Sequence, residues 1–92
     1  MAEASAPMTL RLLTPAGLAA EAGCDSVVLT LADGGLAGVM RDHAPAVMAL
    51  GAGPVRASLG GKPVLKSETK GGFASVKDNV VTVVTDSASI TE

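Results

Sequence analysis

Few residues in this chain have side chains suited to chemistry, and their spacing sets them apart from one another. There is one histidine, His43, and one cysteine, Cys24, among scattered hydroxyls and carboxylates. Nucleophilic catalysis needs a histidine held against an activated hydroxyl or thiol. His43 instead lies in the run Asp42-His43-Ala44-Pro45, and no Gly-x-Ser-x-Gly elbow occurs. A lone loop histidine of this kind reads as a contact group, with two ring nitrogens to offer a neighbour. A bound metal needs several closely spaced ligands, and neither His-x-x-x-His nor Cys-x-x-Cys is present, so no metal site is expected. Cys24 follows Gly23 at the expected start of a strand, where burial would leave its thiol inert. The glycines match neither Gly-x-Gly-x-x-Gly nor Gly-x-x-x-x-Gly-Lys-Ser/Thr, and they separate strand-like segments instead of opening a helix. No cofactor is expected. The chemistry points to a protein that binds.

Ninety-two residues allow one small domain. The net charge of −2, with no Trp or Tyr, gives neither the basic stripe nor the stacking platforms of a nucleic-acid binder. A single cysteine excludes an internal disulfide and suits a reducing compartment. The first residues, Met1-Ala-Glu-Ala-Ser-Ala-Pro-Met8, lack the positive charge and apolar core of a secretory leader. The longest uncharged stretch, His43 to Val55, is broken by Pro45, Gly51, Gly53 and Pro54, well short of the roughly 20 apolar residues that span a bilayer. Membrane association is therefore expected only through partners.

Turn-forming clusters punctuate the chain at Thr14-Pro15-Ala16-Gly17, Asp33-Gly34-Gly35, Arg41 to Pro45, Gly51-Ala52-Gly53-Pro54, Gly60-Gly61, Gly71-Gly72 and Lys77-Asp78-Asn79. The segments between them run about five to eight residues, which is strand length. Ser26–Leu31 and Val80–Thr85 are rich in β-branched residues, with Val27, Leu29 and Leu31 on one face and Val81 and Val83 opposite Val80, Thr82 and Val84. Gly60-Gly61 suits a primed hairpin turn between Val55–Leu59 and Pro63–Glu68. Gly17–Gly23 has some helical propensity but is read as a strand, because a helix that short is marginal alone. The expected fold is an all-β antiparallel sandwich over residues 9–88, with flexible tails at 1–8 and 89–92. Sixteen alanines against a single isoleucine make its core thin.

The order of the loop motifs is specific. Thr14-Pro15, then Asp33-Gly34-Gly35-Leu36-Ala37-Gly38-Val39, His43-Ala44-Pro45, Gly71-Gly72-Phe73-Ala74-Ser75-Val76 and Asn79-Val80-Val81-Thr82-Val83 together resemble the epsilon subunit of bacterial F-type ATP synthases, the delta subunit of the mitochondrial enzyme. The resemblance covers about Leu10 to Ala88. It implies a β-sandwich of about ten short strands. It also implies a non-catalytic central-stalk subunit that links the γ subunit to the membrane c-ring and couples ion translocation to ATP synthesis. The location would be peripheral, on the cytoplasmic face of the bacterial plasma membrane. By the same resemblance Asp33, Gly34, Gly35 and Leu36 lie near the c-ring and γ, while Asp42, His43, Ala44 and Pro45 pack towards γ. Three departures stand out. Gly35 replaces the family's second acid, Ala37 is an extra residue that would need a bulge to keep the strand in phase, and Arg41-Asp42 replaces Pro-Gly. The family's C-terminal helical hairpin is absent from a chain that stops at Glu92, so no helical domain is expected.

Two other classes compete. A biotinyl- or lipoyl-type carrier domain is also small and all-β, with Lys62 beside Gly60-Gly61 as the nearest modifiable lysine, but its neighbours Gly61 and Pro63 do not fit. A small hydrolase would use His43 with a nearby serine. Lys62, Lys66, Lys70 and Lys77 read as a solvated rim, and Met40 and Met48, flanking the histidine loop, as core filling.

Overall fold

The computed structural model describes residues 6–91. The chain forms β1 (Met8–Thr14), β2 (Gly17–Cys24), β3 (Ser26–Thr30), β4 (Leu36–Met40), β5 (Ala46–Leu59), β6 (Lys62–Lys77), β7 (Val80–Val84) and β8 (Ala88–Thr91). Of the tails expected at 1–8 and 89–92, residues 1–5 and Glu92 lie outside the described residues. Met8, however, is already buried in β1, and β8 continues past 88. Gly17–Gly23 is strand, in line with its length.

Among the described residues there are eight strands instead of about ten, because β5 and β6 run on through glycine clusters expected to end them. Their ladder is nearly continuous, from Ala46↔Val76 through Leu50↔Gly72 and Ala52↔Lys70 to Leu59↔Lys62. Glycine bends a strand where a larger residue would clash, so Gly51, Gly53, Gly71 and Gly72 turn this ribbon without breaking it. Each long strand thereby serves twice. The first half of β5 and the second half of β6 continue into β7, β1 and β2; the other halves pair with β3 and β8, and β4 adds to the outer side of β3. One sheet of order β2-β1-β7-β6-β5-β3-β4 folds over on itself, with β8 beside β6.

The alternation along the strands fills the space between the two layers. Leu10, Leu12, Ala74, Val76, Val81 and Val83 from one side meet Val27, Leu29, Val39, Val55 and Ala57 from the other in a single buried cluster, closed by Leu50 at the bend. Leu31 packs against it half-buried, as its phase with Val27 and Leu29 requires. Met48 also packs on the core, but Met40 points to solvent at 65% exposure, because it shares the outward face of β4 with Leu36 and Gly38.

Two turns set the register. Gly60 and Gly61 both have positive φ, 61° and 81°, the backbone of a primed hairpin turn, and the Gly60 N–H donates to Asp25 Oδ2 at 3.0 Å. Asp78 and Asn79 do the same job between β6 and β7 at φ 53° and 64°. Strand β4 pairs with β3 without a shift from Ser26↔Met40 to Thr30↔Leu36. The bulge expected from Ala37 is therefore missing from this pairing.

Gly72 is the tightest point of the ribbon. Its φ is +132°, and a Cβ there would overlap the Val84 carbonyl oxygen. A Cβ on Gly38 would meet open space. Gly72→Ala should therefore lower the unfolding free energy by about 3 kcal/mol, measured by urea denaturation, while Gly38→Ala should stay within about 0.5 kcal/mol of the parent. Equal midpoints for the two variants would contradict this account of the bend.

Candidate interaction surface

The two loops singled out by sequence lie at opposite ends of β4, about 13 Å apart along the strand. In the first, Asp33 Oδ1 accepts the Gly35 N–H at 2.8 Å, while the Gly34 N–H donates to the Leu31 carbonyl at 2.9 Å. Gly34 has φ +93°, so its lack of a side chain is used there. This compact turn lifts Leu36 into solvent at 67% exposure. The acidic side chain thus serves its own turn.

The second loop follows β4. The His43 N–H donates to the Met40 carbonyl at 3.1 Å, and the His43 ring Nδ1 lies 2.6 Å from the Ala44 carbonyl oxygen. A carbonyl can only accept, so Nδ1 carries the proton and Nε2 is left for a neighbour. Asp42 has φ 64°. Its N–H donates to Asn79 Oδ1 at 2.7 Å, and Asn79 Nδ2 donates to Asp42 Oδ1 at 3.4 Å. Asp42, His43, Ala44 and Pro45 are all exposed. Sequence reasoning passed over Asn79 as a turn former; only the three-dimensional approach of the two turns reveals its second role.

A larger feature went unread. On the outward face of the β2-β1-β7-β6-β5 layer, Leu18, Leu13, Val84, Phe73 and Ala49 fall in one row across the strands. Leu18, Val84 and Phe73 are 50%, 51% and 61% exposed, and Val47 on the same face reaches 75%. Four strand spacings make this row about 19 Å long. The chain's sole aromatic residue, Phe73, stands in this row between Val84 and Ala49, outside the core. Pro45, Val47 and Ala49 lead from the histidine loop into this row along β5. The register that builds it depends on strand partners, and in particular on the parallel pairing of β1 with β7, which no local pattern announces.

His43 bonds to backbone. Among the described residues, no group of three or more His, Cys, Asp or Glu side chains could hold a metal ion, and no helix is long and apolar enough to cross a membrane. Lys62 pairs with Leu59 at the start of β6, and Lys66, expected near a turn, lies within the strand opposite Arg56.

A bent sheet wrapped on a small core, displaying an apolar outer row and ordered end loops, defines a β-sandwich domain. Residues 7–91 match the family described as ATP synthase, Delta/Epsilon chain, beta-sandwich domain, and the chain belongs to that family. It is 38% identical over 80 residues to the ATP synthase epsilon chain of Desulfitobacterium hafniense, covering 87% of this chain and 59% of that one. With the epsilon chain of Symbiobacterium thermophilum it shares 35% identity over 88 residues, 95% of this chain and 62% of the other. The chain thus spans about three-fifths of these relatives' length. A chain in the Euglena gracilis mitochondrial ATP synthase, solved as an OSCP/F1/c-ring assembly, superposes with a TM-score of 0.79 at 26% identity over 92% of this chain and 54% of its own. A chain from the Tetrahymena thermophila central stalk/c-ring assembly shares the fold, at TM-score 0.71 and 15% identity over 90% of this chain and 66% of its own.

Cys24 closes β2 opposite Met8 instead of opening a strand, and it is buried. Burial, followed by the neighbouring Asp25 charge, pushes its thiol above the usual range, against the lowering effect of the Leu10 backbone hydrogen bond. The thiolate is the reactive form. The folded protein at pH 8 should therefore resist a thiol reagent, with labelling tracking unfolding in a urea series. Fast labelling of the native state would show Cys24 to be accessible.

Proposed function

We propose that this domain is a non-catalytic rotor module of an F-type ATP synthase, which grips the γ subunit and the c-ring of the central stalk. It would thereby help couple ion translocation to ATP synthesis. Its place would be peripheral, at the cytoplasmic face of the membrane, held there by those partners. The observation that carries this reading is the exposed apolar row Leu18–Leu13–Val84–Phe73–Ala49, continuous with the His43 loop. A contiguous apolar patch with a polar rim marks a protein–protein surface, and Phe73, the largest side chain in the row, is its proposed energetic anchor. Family membership supplies the class of partner.

Asp42, His43, Ala44 and Pro45 are the proposed γ-facing contacts beside this row. Pro45 restrains the loop, so less freedom is lost on docking. Asp33, Gly34, Gly35 and Leu36, at the far end of β4, are the proposed contacts towards the c-ring, with the exposed Leu36 as the apolar group. Strands resist shear along their ladders while end loops supply contact area, which suits a part that transmits torque. A carrier-domain reading has no comparable support, since family membership favours the stalk.

Titration with purified γ subunit tests the proposal. Replacing Asp42, His43 and Pro45 together by Ala should weaken binding by more than about 1 kcal/mol, and Phe73→Ala alone should cost about 2 kcal/mol. Unchanged dissociation constants in both variants would remove this face from the interface.

A further inference from the structure

The backbone is strained at one place. Among the described residues, the non-glycine positions with positive φ are Asp42, Asp78 and Asn79, and Asp42 and Asn79 hold each other across the gap between two turns. Left-handed backbone is costly for a side-chain-bearing residue, though asparagine and aspartate tolerate it best. Such positions persist where the surroundings over-determine them, and they gather at functional segments. Here the surroundings are specific. The Asn79 carboxamide accepts from the Asp42 N–H and donates to the Asp42 carboxylate, while the Asn79 backbone carbonyl accepts the Thr9 N–H at 3.0 Å. The other Asp42 carboxylate oxygen faces Arg41 Nε at 4.0 Å. Asn79 therefore ties the loop after β4 to the β6–β7 turn and to the start of β1 together. The loop itself is exposed and has few other long-range ties: the His43 N–H and ring bond only to Met40 and Ala44.

We propose that Asn79 is the positioning residue for the His43 contact loop, fixing Asp42 in its left-handed conformation so that His43 and Pro45 are presented in a single arrangement to the partner. This rests on the docking reading above. The hydrogen bonds of the Asn79 side chain go to Asp42, and it is through Asp42 that it acts. The Asn79 carboxamide supplies support at Asp42 that a glycine in this conformation would not need.

The test is a side-chain exchange in the 92-residue chain. Asn79→Asp keeps an acceptor for the Asp42 N–H but sets two carboxylates against each other. Combining it with Asp42→Asn restores one donor and one acceptor across the gap. Two readouts are taken: amide hydrogen exchange at residues 42 and 43 in the free chain, and the dissociation constant for purified γ subunit. Asn79→Asp should speed exchange at residues 42 and 43 while leaving Val81 and Val83 protected, and should weaken γ binding about tenfold. The exchanged pair should recover both to within about twofold of the parent. Faster loop exchange with unchanged affinity, or no rescue by the pair, would overturn the positioning role. Failure of the parent chain to bind γ would overturn the docking reading instead, and the exchange measurement would still decide whether Asn79 fixes the loop.

Discussion

The long β5–β6 ladder is the constraint on which the rest of this fold depends. A sandwich built from short strands usually needs separate connections between its two layers. Here one hydrogen-bonded ribbon enters both, bending at Gly51, Gly53, Gly71 and Gly72 without giving up its pairing. The bend is packed as well as permitted. A Cβ on Gly51 would come within 2.7 Å of the Leu31 carbonyl oxygen, and one on Gly53 within 2.7 Å of Thr30 Oγ1, which itself donates to the Pro54 carbonyl at 2.9 Å. Close backbone approach replaces side-chain bulk at the corner. This matters in a chain so rich in alanine, because a thin core gains stability from intimacy of packing more than from buried area.

The same economy of side chains shapes the outside. The chain spends its one aromatic residue and several of its larger aliphatic ones on the solvent face of a layer whose inner face is filled by Leu10, Leu12, Val81, Val83 and Ala74. Both faces of that layer are thus apolar near its centre. Arg11 and Glu21, paired at 3.3 Å on the neighbouring row, keep the outer face soluble beside the stripe. A domain of this size gains little from such exposure while alone. The distribution is that of a part shaped to be covered on one side.

Much of this was legible in the sequence, for reasons that can be traced to particular residues. Val27 and Leu29, or Val81 and Val83, announce their face because a strand has period two and its inward side is buried. Gly60-Gly61 announces a hairpin because a primed turn needs two consecutive positive φ angles, which glycine adopts at little cost. The glycines of Gly51–Gly53 and Gly71–Gly72 misled, since the same residue that ends a strand also bends one, and only the partner strand decides which. Met40 misled for a related reason: an edge strand has a face with nothing above it. The outer row could not be read at all, because its members come from five strands and meet only through registers set over long sequence distances. The histidine loop was found, yet what holds it was not, since Asn79 and Asp42 are neighbours in space alone.

One consequence follows from the parallel pairing of β1 with β7, in which Thr9 lies opposite Val80 and Leu13 opposite Val84. Among the described strands, β1 is made well before its central neighbour β7. At about 5–20 residues per second, β1 and β2 wait several seconds as an unclosed hairpin with apolar Leu10 and Leu12 in view. Arg11 sits between those two leucines, a charge that discourages chance self-association of the nascent segment. The closing of this sandwich therefore waits on β7, the strand that covers β1 on its central side.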